Sequence, residues 1–113
     1  MSKRDDSTSV RQMLEHAREA VELARGRSRD DLDLDRMFFL AMTRLLEIVG
    51  EAAGRVTETF RGRHLGVPWS QIVGLRNRIS HGYDEIDRDR VWEIVRTDLP
   101  PLVAEIEQIL HQP

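Results

Sequence analysis

No cysteine occurs in the 113 residues. That removes disulfides, thiolate metal sites and thiol nucleophiles together, and makes a reducing compartment the simplest expectation. Long apolar runs are missing too: the longest, MFFLAM at 37–42, falls far short of the roughly 20 residues needed to cross a bilayer. The polar, acidic start MSKRDDSTS does not resemble a signal peptide. A soluble, cytoplasmic protein is therefore expected. There is no sustained two-residue alternation of apolar and polar side chains, no internal repeat and no low-complexity linker, so helices dominate the reading. The residues three before His16, His64, His81 and His111 are Met13, Arg61, Arg78 and Gln108, which excludes the Glu-x-x-His pairs of a di-iron bundle. No Gly-rich phosphate loop, GxSxG elbow or HExxH motif is present. Neither a metal nor a cofactor is expected.

What is present is a chain of 13.1 kDa with 40% apolar and 33% charged residues. That is enough for one hydrophobic core, and the charged share exceeds the usual ~25%. One domain spanning 1–113 is expected, with residues 1–8 flexible. The net charge of −3 argues by itself against a polyanionic partner, but the charge is unevenly placed. Between Arg55 and His81 lie Arg55, Arg61, Arg63, Arg76 and Arg78 against the single acid Glu58, a local +4. Subtracting +4 from −3 leaves −7 for the remainder. Fields act over a Debye length of about 8–10 Å, so such a window can attract a polyanion, or it can be a solvated helix face.

Helical periodicity organises the rest. Ser9 is a candidate cap, with Gln12 completing a capping box, ahead of the stripe Val10, Met13, Leu14, Ala17, Val21 and Ala24; Gly26 is a natural stop. A second helix is expected from Asp31–Asp33 to about Phe60. Its main stripe is Leu34, Phe38, Ala41, Leu45, Ile48, Ala52 and Val56, with a second stripe of Met37, Leu46, Val49 and Ala53. This breadth, and Gly50 and Gly54 as points of close backbone approach, suggest that the helix serves both the core and a subunit interface. Glu47 and Glu51 form either a carboxylate pair or ion pairs with Arg44 and Arg55. RGRHLGVP reads as a loop, and a third helix follows from Pro68 to about Ser80, burying Trp69, Ile72, Val73 and Ile79, with Gly82 ending it. Asp87 caps the last stretch, whose stripe is Val91, Trp92, Val95, Leu99, Leu102, Val103, Ile106 and Ile109. Pro100 and Pro101 impose a bend or a restart capped by Asp98. An all-α, up-and-down bundle of four to five helices is expected.

Chemistry concentrates in RNRISHGY, residues 76–83. On a continued helix Arg76 and Tyr83 share a face while His81 points about 140° away, so a turn at Gly82 would be needed to gather all three. Arginine binds phosphate in a planar fork and histidine passes protons near neutral pH. Together they suit metal-free RNA cleavage, in which the 2′-hydroxyl attacks the adjacent phosphate. The alternative is structural, with His81 capping the helix and Arg76 paired to an acid.

At these residues the sequence resembles the HEPN superfamily, and within it HepT-type toxins. Their hallmark is an Arg, a polar residue, a short spacer and a His followed two residues on by Tyr: here Arg76, Asn77, His81 and Tyr83. LLEIVGEAA (45–53), VPWSQIVGLRNRISHGYDEID (67–87) and VWEIVRTDLPPL (91–102) are similar to the family pattern in order and spacing. The resemblance implies a HEPN-like helical homodimer whose two motifs share a cleft. It further implies a metal-independent endoribonuclease acting as the toxin of a type VII toxin–antitoxin system. Arg76 and His81 would form the catalytic pair, oriented by Asn77; from the basic window, Arg78, Arg61 and Arg63 are expected to contact RNA. It also implies a cognate MntA-like nucleotidyltransferase antitoxin that neutralises the toxin by AMPylating Tyr83. A rival within the same superfamily is a non-catalytic partner domain that binds a nucleotidyltransferase and its nucleotide or substrate. Another is a small nucleic-acid-binding regulator, for which the third helix has too few base-reading side chains.

Overall fold

A computed structural model describes residues 5–80, 82 and 85–111. The chain is all-α, as expected, with an isolated antiparallel bridge between Ser80 and Ile86. Helix α1 (Asp6–Ala24) packs on α3 (Arg36–Gly54) and on α8 (Leu99–His111). Among the described residues no helix is long and apolar enough to cross a membrane.

Asp5, rather than Ser9, caps α1: its carboxylate accepts from the Ser7 amide at 3.1 Å and the Ser7 hydroxyl at 2.9 Å. Ser9 lies one turn inside and is fully buried. An acid placed four residues earlier meets both the free amides and the positive end of the helix dipole, so it takes the cap. The helix thus begins inside the stretch expected to be flexible; residues 1–4 of that stretch lie outside the described set. At the other end Gly26, at φ +75°, turns the chain as expected.

The expected second helix is three helices: α2 (Asp31–Leu34), α3 and α4 (Glu58–Arg63). The first break is Asp35, which is extended (φ −120°, ψ 99°) and accepts the Phe38 amide at 3.1 Å. That amide bond, with help from Arg27 at 2.8 Å, holds the Asp35 carboxyl below the usual carboxylate range. Asp interrupts a helix because its side chain offers the backbone a competing acceptor. The break turns Leu34 out of the stripe, leaving it 82% exposed; Ala41 is exposed too, and Met37 of the second stripe is 81% exposed. Phe39 and Met42 fill the core in their place. The second break leaves Val56 buried in the link and makes Thr57 the cap of α4, its hydroxyl accepting from the Phe60 amide at 3.2 Å. Asp6 of α1 clamps this corner by accepting from the Thr57 amide and hydroxyl. RGRH therefore belongs mostly to α4, and the loop is confined to residues 64–68.

The third helix also divides, at Gly74, into α5 (Trp69–Val73) and α6 (Leu75–Ile79). Val73, expected on the buried side, faces outward, and Leu75 is fully buried instead. Gly50 does permit a close approach, but within one chain: a Cβ there would sit 3.1 Å from the Ile72 carbonyl oxygen. Gly54 faces open space.

Asp87 caps α7 (Arg88–Glu93) through the Arg90 amide, as expected. Pro100 and Pro101 cause neither a sharp bend nor a restart at Asp98. Instead residues Ile94–Asp98 form a π segment that runs directly into α8, with the Leu99 amide reaching back five residues to the Ile94 carbonyl. Widening the turn accommodates the two missing donors without ending the helix. It also places Ile94 in the core alongside the expected stripe.

Candidate functional site

The segment 76–80 rides on α6, which packs on α3, α5 and α7. Leu75 and Ile79, four apart, are buried and anchor the helix, so the intervening positions face outward. Arg76 and Asn77 are exposed, and Arg76 makes no ion pair with a described residue. Arg78 differs: its Nη2 donates to Asp98 Oδ2 at 2.8 Å across the π segment, with the two side chains 25% and 29% exposed. Its Nη1 is buried without a described partner.

Beyond α6 the chain reverses tightly. The Ser80–Ile86 bridge, the Asp87 amide donating to the Ile79 carbonyl at 2.7 Å, and the Glu85 amide donating to the Gly82 carbonyl at 2.9 Å bring the two ends of segment 80–87 together. Gly82 has φ +86°, which its missing Cβ makes inexpensive. The helix does end there, as expected. Arg88 secures the far side of the turn, its guanidinium 4.0 Å above the Phe39 ring and its Nε donating to the Leu32 carbonyl. His81 and Tyr83 lie outside the described residues.

The remaining arginines of the basic window do not gather around this turn. The Arg61 guanidinium donates to the Ala53 carbonyl at 2.9 Å and sits over Trp69, closing the end of α3. Arg63 is exposed, 5.8 Å from the Phe60 ring centre. Gly50 of α3 lies against Leu75 at the start of α6, and Phe39 lies under Arg88 after the turn. The motif helix therefore runs towards the N-terminal half of α3, while α4 with Arg61 and Arg63 follows its C-terminal end. The +4 window is continuous in sequence and divided in space. Glu47 and Glu51 are both held by Arg44, at 3.3 and 3.1 Å, as the ion-pair reading anticipated for Arg44; Arg55 makes no ion pair with a described residue. Among the described residues no group of three or more His, Asp or Glu side chains could hold a metal ion.

The Arg78–Asp98 pair has no short-range signal, since 20 residues separate its members. Only the position of Asp98, two residues before Pro100, hints at a special backbone there.

Comparison with known proteins agrees with this architecture. The family model described as "Ribonuclease HepT-like" matches residues 13–109. The chain is 36% identical over 107 residues to "Putative RNase MJ1380" of Methanocaldococcus jannaschii, covering 95% of this chain and 98% of that protein. It is 33% identical to "Putative RNase TTE0752" of Caldanaerobacter subterraneus subsp. tengcongensis, over 81% of this chain and 82% of the relative. It is 30% identical to "Probable ribonuclease HepT" of Thermococcus cleftensis, over 89% and 96% respectively. No solved structure matches it significantly.

Proposed function

This chain belongs to the HepT-like ribonuclease family, and on that premise we propose that it is a metal-independent endoribonuclease whose active groups are Arg76 and His81. The observation that carries the reading is the contrast between two arginines on one short helix. Arg78 is spent on an ion pair with Asp98, whereas Arg76, two residues earlier, is exposed and has no described carboxylate. An arginine packed for structure finds an acid, as Arg78 does, or a carbonyl, as Arg61 does; one that binds phosphate must keep its guanidinium open.

In the reaction the ribose 2′-oxygen forms a bond to the adjacent phosphorus as the bond to the 5′-oxygen of the next nucleotide breaks. A cyclic 2′,3′-phosphate and a free 5′-hydroxyl result. Arg76 stabilises the charge that builds on the non-bridging oxygens, and His81 moves the proton. Asn77, exposed beside Arg76, orients the pair or the RNA, and Arg78 acts mainly by holding α6 in place.

The functional unit is a homodimer with both motifs on a shared cleft. Exposed Leu34 at the end of α2 and exposed Met37 and Leu40 at the start of α3 support it, because exposed apolar side chains favour burial against a partner. The chain acts as the toxin of a type VII toxin–antitoxin pair. An MntA-like nucleotidyltransferase restrains it by adding AMP to Tyr83, bringing negative charge and bulk into a cleft meant for RNA.

Expression of the chain alone tests the reading. The parent should arrest growth, while Arg76→Ala and His81→Ala should permit growth at equal soluble levels. Arrest by both variants would refute it. Mass spectrometry after co-expression with the nucleotidyltransferase should show AMP-sized additions on the parent and none on Tyr83→Phe; equal additions on both would move the acceptor elsewhere.

A further inference from the structure

A cavity lined by none of residues 76–80 has chemistry that the catalytic reading does not use. It measures about 440 Å³ and lies between the start of α1, α4 and the end of α8. Its polar walls are Ser7, Arg11, Arg63 and His64, and its apolar walls are Phe60, Ile109 and Leu110; no carboxylate lines it.

Seven arginines elsewhere in this acidic chain hold a carboxylate: Arg18, Arg25, Arg27, Arg29, Arg44, Arg78 and Arg88. Arg11 and Arg63 are exposed, make no ion pair with a described residue, and face the same cavity from different helices. Asp5 and Asp6, the acids just before Ser7 in sequence, are both occupied: Asp5 caps α1 by accepting from the Ser7 amide and hydroxyl, and Asp6 accepts from the Thr57 amide and hydroxyl.

Beside the two cations stands a ring surface. Phe60 and His64 pack with centroids 4.5 Å apart, and the Phe60 ring is braced edge-on by Trp69 at 6.4 Å. Two unpaired guanidiniums against an aromatic wall match a strand that repeats phosphate and base: the cations take the phosphodiester, and the ring takes the base or ribose. A small apolar ligand would leave both charges unused, and a folded duplex hides its base faces.

We propose that this cavity is a second RNA-binding site, which grips a phosphodiester and its neighbouring base in single-stranded RNA away from the bond being cut. The proposal rests on the ribonuclease reading for its ligand but uses none of the catalytic groups. It gives Arg63 a defined partner in Arg11. It also gives a small enzyme a means of favouring substrates with an unpaired tail long enough to span from α4 to the 76–83 turn.

Binding to an uncleavable probe tests it without requiring turnover. A fluorescein-labelled 2′-O-methyl oligouridylate of about a dozen nucleotides is titrated by fluorescence anisotropy against the full chain, Arg11→Ser/Arg63→Ser, and Arg36→Ser as an exposed control. The double variant should bind about tenfold more weakly, and its salt dependence should flatten by about 0.7 in log–log slope, the share of one lost phosphate contact on a single strand. Arg36→Ser should match the parent. Unchanged affinity and slope in the double variant would overturn the proposal. So would retained RNA affinity with lost binding to polyglutamate, which would assign the cavity to an acidic protein. Failure of the ribonuclease reading looks different: the parent then binds the probe, the double variant weakens it, and cleavable RNA stays intact with both proteins.

Discussion

Removing Asp98 should unsettle the motif helix more than any other single surface carboxylate. Arg78 and Asp98 meet at 2.8 Å with side chains 25% and 29% exposed, and Arg78 Nη1 is already buried without a described partner. Asp98→Ala leaves that guanidinium without its counter-charge in a place water reaches only partly. Fully exposed pairs are worth about 0.2–1 kcal/mol, and stranding one member of a fully buried pair costs about 3–5 kcal/mol. At roughly one-quarter exposure the expected loss is about 2 kcal/mol, which for a chain of this size lowers the melting temperature by about 8 °C. The double variant Arg78→Met/Asp98→Ala removes the stranded charge and should recover at least about 1 kcal/mol of that loss. Urea unfolding followed by circular dichroism on the parent, both single variants and the double variant measures the coupling directly. A loss under about 0.5 kcal/mol for Asp98→Ala, with strictly additive single effects, would refute the role given to the pair.

Other consequences are equally accessible. Gly50→Ala puts a Cβ 3.1 Å from the Ile72 carbonyl oxygen, so α3 and α5 must part and thermal unfolding should show a loss of about 1–3 kcal/mol. Gly54→Ala meets open space at the end of the same helix and should instead stabilise by up to about 1 kcal/mol. The depressed carboxyl of Asp35 contributes stability that is complete above the unfolded carboxylate value of about 3.9 and is lost as pH falls through the lower folded value. The parent's advantage over Asp35→Ala in urea should therefore be full at pH 6 and shrink steadily in strong acid; an advantage independent of pH would contradict the charged cap. Met37→Glu places a charge on the exposed apolar group of α3 and should convert a dimer to a monomer in sedimentation experiments without unfolding it. An unaltered dimer would move the interface elsewhere.

Periodicity in the sequence located the apolar material well but not where helices stop. The i+4, i+3 spacing of Leu34 and Phe38 runs straight through Asp35, because a side chain that caps a helix does not disturb the pattern on either side of it. The same continuity hid the divisions at Thr57 and Gly74. The first two breaks do carry a local mark: Asp35 stands three residues before the amide it accepts from, as Thr57 does before Phe60. Pro100 and Pro101 were visible as missing donors, but whether a helix bends, restarts or widens depends on what packs around it, and here α1 packs along both the π segment and α8. In the candidate site, the motif and its chemistry were legible from residues 76–83. The pairing of Arg78 with Asp98, the capping of α3 by Arg61 and the division of the basic window were not, since all three depend on contacts between separate helices.

RNA cleavage by purified protein tests the central claim most directly. The parent and His81→Ala, each confirmed folded by circular dichroism, are incubated at neutral pH with end-labelled single-stranded RNA in the presence of a chelator. The parent should generate fragments ending in a cyclic 2′,3′-phosphate, while His81→Ala should be slower by about a hundredfold or more, the usual scale of a general acid–base contribution. Equal cleavage by the two proteins, or parental activity that vanishes with the chelator, would contradict it.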